Sequence, residues 1–405
     1  MTNFYLNDMG IACSLGKSKG HVVHSLFKAK PFVPNYKTHT LISGRIVPEI
    51  TLPFDLPELP TSFCELNSKN NRLLRITLDE IAESVSTAKD LFGANRIGVV
   101  LGTSSSGMAE GESAYLHRIK AGYWPNGYSY SQQEIANPSL FASHYFGLQG
   151  PAYTISTACS SGAKALCAAS RLLEAGICDA VVTGGADTMC DLIRNGFDSL
   201  ELLSETICNP FSKNRRGITL GEGSAVFLMT REKLSNSSSI ILKGYGESSD
   251  ACHISAPEPN GRGAEDAIRQ ALQMAKLSVE EIAYINLHGT GSYLNDSMES
   301  ICIDRIFGPQ IPCSSTKGIT GHTLGAAGAI EAAFLWLCLQ QEQFGYTSLP
   351  NHIWDHVFDP QVPCIKLIEN NEKASHINGC IHMMSNSFAF GGSNVSLILS
   401  KTVSL

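Results

Sequence analysis

The sequence predicts a layered α/β fold made of two similar halves, on three observations. Short β-rich apolar runs alternate with longer helical patterns, one strand–turn–helix design occurs twice, and the composition is that of a chain with a large buried core.

The apolar runs are Ile97–Leu101, Ala152–Ser156, Ala180–Thr183, Ser224–Met229, Ile282–Leu287 and Met383–Ser387. They lack the in–out alternation of a half-exposed sheet, so they read as strands buried on both faces. In the first copy of the repeated design, Tyr153–Ile155 leads through Ser156-Thr157-Ala158-Cys159-Ser160-Ser161-Gly162 into an Ala-rich helix ending near Gly176. In the second, Ile311–Ser315 leads through Lys317-Gly318-Ile319-Thr320-Gly321-His322 into the Ala-rich helix after Gly325. Such self-similarity points to a duplicated half. The polar connection Ser235–Ser239 marks the expected boundary, with halves at 1–235 and 236–405.

A chain of 405 residues is long for one compact core, and 43% hydrophobic against 17% charged residues excludes a disordered protein. The formal net charge of −7 argues against nucleic-acid partners and against polybasic membrane contact. Thirteen cysteines, odd in number and without CxxC pairs or Cys/His zinc spacing, read as reduced buried thiols rather than disulfides or a metal site. The first twenty residues show no basic region followed by an apolar one, so no signal peptide is expected and the cytoplasm is the expected compartment. The longest apolar stretch, Gly325 to Leu339, is interrupted by Glu331 and falls short of the roughly 20 residues a membrane span needs. It reads as a buried core helix.

Four constellations can carry chemistry. Cys159 stands at the turn between a buried strand and a small-residue helix, where helix N–H groups favour a thiolate and can bind an oxyanion; a plain structural cysteine is the alternative. His288, in Asn286-Leu287-His288-Gly289-Thr290-Gly291, follows a strand and opens a Gly-rich loop, a common station for catalytic side chains. His322 lies in a second Gly-rich helix entry together with Lys317, for which Glu331 on the following helix is the expected ion-pair partner. The fourth, Ser385-Asn386-Ser387-Phe388-Ala389-Phe390-Gly391-Gly392, sets paired glycines after an aromatic, which lets backbone approach a ligand closely. Structural histidines and an ordinary strand-end turn remain the alternative for the last three.

These segments, in this order, resemble the elongating β-ketoacyl-acyl-carrier-protein synthases of the thiolase superfamily. The resemblance covers essentially the whole chain, including Asn209–Gly217, Leu220-Gly221-Glu222-Gly223 and Gly244–Asp250. It implies a thiolase-like five-layered αβαβα fold with two duplicated halves, in a homodimer or a heterodimer with a homologous subunit. By the same resemblance Cys159 is the acyl-accepting nucleophile and His288 and His322 are the active-site pair. Lys317 and Glu331 match supporting charged positions, Glu222 a further supporting one, and Phe390 an aromatic gate whose N–H joins that of Cys159 in an oxyanion hole. No cofactor or metal is implied. The expected reaction is decarboxylative condensation of an acyl thioester with malonyl-acyl-carrier protein, in fatty-acid or polyketide, including aryl-polyene, synthesis. Tyr293, in Ser292-Tyr293-Leu294-Asn295-Asp296, departs from the family's smaller residues. A chain-length-factor-like partner subunit is the alternative role, and a Cys/His hydrolase a further one. An acidic carrier protein needs a local basic patch on this acidic chain: Lys69, Arg72 and Arg75 first, Lys213, Arg215 and Arg216 second.

Overall fold

The computed structural model describes residues 3–28, 32–235, 237–342, 345–370 and 372–402. Its main sheet is formed by β1 (Phe4–Ala12), β2 (Ile97–Gly102), β3 (Ala152–Ile155), β4 (Ala180–Asp187) and β5 (Gly223–Thr230), followed by β6 (Ile241–Ser249), β7 (Ile282–Asn286), β8 (Cys313–Ser314), β9 (Cys380–Ala389) and β10 (Ser393–Thr402). The order across it is β8-β7-β9-β10-β6-β1-β5-β4-β2-β3. Each half therefore lays its strands as third, second, fourth, fifth, first. The directions repeat too: β2 runs parallel to β3 and β4, as β7 does to β8 and β9, and the remaining neighbours are antiparallel. The halves join edge to edge at β1 and β6 through the pairs Phe4–Leu242 and Tyr5–Ile241. Asn236, inside the expected boundary connection, lies outside the described residues.

The helices that place the site are α1 (Lys69–Glu80), α2 (Asn137–Phe146), α3 (Ser161–Glu174), α4 (Asp191–Ser199), α5 (Arg262–Ala275), α6 (Tyr293–Phe307), α7 (Lys317–Thr320) and α8 (Ala327–Gln340). α1 and α2 cover the outer face of the first half-sheet, and α5, with α6 beside it, covers the second. α3 and α8 lie between the two half-sheets and against each other, completing five layers. Alternate strand residues serve the two sides: Val100, Val181 and Phe227 face the central helices, whereas Val99, Val182 and Leu228 pack with Leu74 and Leu78 of α1. That double burial explains the unbroken apolar runs.

Apart from Glu331, α8 is apolar on every side and buried to Leu339, as a helix walled in by sheets and another helix must be. Small residues let it approach α3. A Cβ on Gly162 would come within 2.9 Å of the Ala329 Cβ, and one on Gly328 within 2.8 Å of the Ala163 Cβ. Among the described residues no helix is long and apolar enough to cross a membrane.

Candidate active site

The turn from β3 into α3 presents Cys159. Ala158 just before it takes φ +51°, a left-handed conformation that costs a non-glycine residue about 1–2 kcal/mol. The turn is held by Ser161, whose hydroxyl accepts from the Thr157 N–H at 2.9 Å and donates to the Ala158 carbonyl at 2.6 Å. Burial pushes the Cys159 thiol up to about 12, against the opposing pull of the Lys317 charge and a hydrogen bond from the Phe390 N–H. At neutral pH the Cys159 side chain is therefore a thiol rather than a thiolate.

His322 reaches that thiol from the other half, with Nε2 2.9 Å from the Cys159 Sγ. Its backbone is clamped on both sides: its N–H donates to the Thr219 carbonyl at 2.7 Å, and its carbonyl accepts from the Gly221 N–H at 3.2 Å. His288, at the end of β7, meets the His322 ring edge-on, with centroids 5.5 Å apart. The sulfur and one nitrogen of each imidazole all lie within 4.8 Å of one another. Burial first, then the Lys317 charge, holds both imidazoles well below the usual histidine value, so both are neutral.

Behind them Lys317 donates to the His288 carbonyl at 2.5 Å and pairs with Glu331 of α8, both side chains almost fully buried. Burial raises the Glu331 carboxyl to about 7 despite that cation. The trio Cys159, His288 and His322 is the group of donors among the described residues that could meet on a metal ion. The ammonium of Lys317 beside it opposes a dication by direct repulsion. The arrangement suits covalent catalysis: a thiol, an imidazole to relay its proton, and N–H donors around one small space.

That space is a cavity of about 260 Å³ lined by Cys159, His288, His322, Phe388 and Phe390, and by Arg216 and Tyr293 among others. Phe390 sits in the turn after β9, where Gly391 takes φ +76° and Gly392 φ +74°. Its ring stacks on Phe197 of α4, with centroids 5.5 Å apart.

Glu222 and the docking candidates lie elsewhere. Glu222 is buried, accepts from the Met189 N–H at 2.8 Å and pairs with Lys69. The Lys69 charge is therefore paired within the chain, although its side chain remains partly exposed. Arg72 pairs with Glu58 at 2.8 Å and Arg75 with Asp79 at 3.7 Å, so this basic cluster is largely neutralised. Arg215 corrects the second cluster: its side chain is 1% exposed, bonded to Asp359 at 2.7 Å and stacked under Tyr293, and so is no surface charge. Lys213 and Arg216 are exposed.

Two buried carboxyl groups behind the His288 loop were not among the expected site residues, and burial raises both, Glu299 to about 8. Glu299 of α6 accepts the N–H groups of His288 and Gly289, both at 2.8 Å, and Asp296 accepts those of Phe211, Thr290 and Gly291. Together they shape the loop that carries His288. The only signal was their position on a helix just after a Gly-rich loop.

Residues 68–234 match the family model "Beta-ketoacyl synthase, N-terminal domain" and residues 240–348 its C-terminal counterpart. A 3-oxoacyl-[acyl-carrier-protein] synthase 2 of Staphylococcus aureus is 31% identical over 76% of this chain and 76% of its own length. A putative mitochondrial 3-oxoacyl-[acyl-carrier-protein] synthase of Schizosaccharomyces pombe is 35% identical over 66% of this chain, a match spanning 65% of that relative. Among solved structures, the complex of a ketosynthase (ApeO) with its chain length factor (ApeC) from Xenorhabdus doucetiae contains a chain 43% identical, with a TM-score of 0.91 over 100% of this chain and 98% of that one. The chain belongs to the β-ketoacyl synthase family, acyltransferases of thiolase-like fold.

Proposed function

We propose that this protein is a β-ketoacyl-acyl-carrier-protein synthase that condenses an acyl thioester with malonyl-acyl-carrier protein, releasing CO₂. The observation that carries the reading is the 2.9 Å approach of the His322 Nε2 to the Cys159 Sγ, with the His288 imidazole in the same cavity. In the first half-reaction the Cys159 sulfur attacks the acyl thioester. Its proton passes through His322 to the departing carrier thiolate, and the N–H groups of Cys159 and Phe390 hold the oxyanion. In the second, the malonyl carboxylate leaves as CO₂ while the N–H groups of the two neutral imidazoles hold the enolate oxygen. The enolate carbon then displaces Cys159, whose thiolate takes up a proton.

Acyl-carrier thioesters as substrates are supported by the names of the relatives, and a heterodimer with a homologous subunit by the ketosynthase–chain length factor complex. The retained thiol with an imidazole aimed at it favours the catalytic subunit over a chain-length-factor role. A hydrolase would leave His288 and the Phe390 turn without a task. We divide the chain at 1–235 and 236–405, supported by the repeated strand order, and place the protein in the cytoplasm, supported by thirteen unpaired cysteines.

The test separates the half-reactions. Cys159→Ala should lose acyl-enzyme formation and chain extension yet still release labelled CO₂ from malonyl-carrier protein. His288→Ala or His322→Ala should still take an acyl group on Cys159, read by intact-protein mass, while losing about 10²–10³ in decarboxylation. A Cys159→Ala protein that still builds β-ketoacyl product would sink the reading.

A further inference from the structure

Asp187 closes β4 with a fully buried carboxylate held by N–H and O–H donors. Oδ1 accepts from the Thr103 hydroxyl at 2.6 Å, the Ser105 hydroxyl at 2.7 Å, the Ser105 N–H at 2.8 Å and the Ser104 N–H at 3.0 Å. Oδ2 accepts from the Ser104 N–H at 2.9 Å and, across the molecule, from the Ala326 N–H at 3.2 Å. Burial raises the Asp187 carboxyl above its ordinary value, and the hydrogen bonds from Thr103, Ser105 and Ser104 oppose that rise.

What matters is where the donors lead. Thr103–Ser106 is the loop after β2, and the Ser104 hydroxyl donates onward at 3.3 Å to the carbonyl of Ala158, the residue before Cys159. Ala326 belongs to the other half, four residues past His322, at the entry to α8. One carboxylate thus ties the loop that braces the thiol to the loop that carries the imidazole. The fit at this junction is tight: a Cβ on Gly325 would lie 2.7 Å from the Asp187 Oδ2 and 2.8 Å from the Ser104 N and Oγ.

We propose that Asp187 is a positioning residue that sets the spacing of the Cys159 Sγ and the His322 Nε2 by joining the two halves behind them. It rests on the reading of these two residues as nucleophile and proton relay.

Asp187→Asn is the informative variant because it nearly preserves shape. Its single oxygen can keep the donors on the Oδ1 side, and its NH₂ then faces the N–H groups of Ser104 and Ala326, donor against donor, which cuts the tie between the halves. Acylation of Cys159 by an acyl-carrier protein is followed by mass in single turnovers over a range of carrier concentrations. The variants are Asp187→Asn, His322→Ala and the double mutant. The saturating rate of Asp187→Asn should fall by about 10–100-fold with the half-saturating concentration unchanged. The loss should shrink sharply when His322 is already absent, because Asp187 acts through the thiol–imidazole spacing. A wild-type rate, or a loss that simply multiplies with that of His322→Ala, overturns the proposal. Wild-type acylation and decarboxylation by His322→Ala would instead bring down the reading of the site, and the proposal with it. Should Asp187→Asn fail to fold, Ser104→Ala removes only the hydroxyl that reaches Ala158. It should slow acylation by about three- to tenfold, and an unchanged rate overturns the tie on the thiol side.

Discussion

The Lys317 ammonium stands 3.4 Å from Nδ1 of His288. An ammonium only donates, so Nδ1 is the acceptor and the ring proton resides on Nε2. Lys317→Met should release that choice of tautomer and strand Glu331, lowering CO₂ release from malonyl-carrier protein by about 10²-fold while Cys159 is still acylated. Glu331→Gln, which keeps an acceptor for the ammonium, should cost less. Equal decarboxylation in Lys317→Met and wild type would contradict this.

The pH dependence follows from neutral imidazoles. His288 and His322 are both held well below 6.5, by burial and then by Lys317, so neither gains a proton as the pH falls through the usual histidine range. Decarboxylation by a Glu331→Gln variant, which lacks the neighbouring carboxyl raised to about 7, should therefore stay level from pH 8 to below 6.5. The free thiol, raised to about 12, should be alkylated by iodoacetamide ever faster up to pH 9 and beyond without a plateau. A break near pH 6.5, or an alkylation plateau near pH 7, would show charged or thiolate groups at rest.

Phe390 offers its backbone N–H to the Cys159 sulfur and its ring to Phe197. Phe390→Ala keeps the first and removes the second. Condensation should slow by about tenfold through lost placement of substrate. Phe197→Ala, which frees the ring from a stack worth about 0.5–1.5 kcal/mol, should have a smaller effect in the same direction. Unchanged acylation and condensation in Phe390→Ala would remove the gate assignment.

Neighbours in sequence, Arg215 and Arg216 should fail differently. Arg216 is exposed at the cavity mouth, so reversing it together with Lys213 should raise the half-saturating concentration of an acidic carrier and flatten its salt dependence. Arg215→Ala strands the buried Asp359 and should lower stability by about 3 kcal/mol in urea denaturation. A carrier effect without loss of stability in Arg215→Ala would reverse the assignment.

Much of this architecture was legible because the decisive signals are local. Unbroken apolar runs marked β2, β4 and β5, and a small-residue turn into a helix marked Cys159 and His322. β1, β6 and β10 were not foreseen, since Asn7-Asp8, the glycines at 244 and 246, and the serines at 393, 396 and 400 interrupt their apolar pattern. Long-range pairing was the other blind spot. Lys213-Asn214-Arg215-Arg216 reads as a basic patch, yet the partner that buries Arg215 lies 144 positions away, and the Glu222 that takes Lys69 lies 153 away. Nothing near Asp187 in sequence announces a carboxyl group that collects backbone N–H groups, and Glu299 offers only its place on a helix after a Gly-rich loop.

The thiol comes from one half of the repeat and both imidazoles from the other. In effect the chain is a dimer folded into one polypeptide, its two parts joined by the short stretch between Thr230 and Ile241. Tethering makes their association intramolecular, so the effective concentration of His322 at Cys159 is set by the chain and does not change with the amount of protein. Dilution leaves the thiol and the imidazole together; parting α3 from α8 separates them.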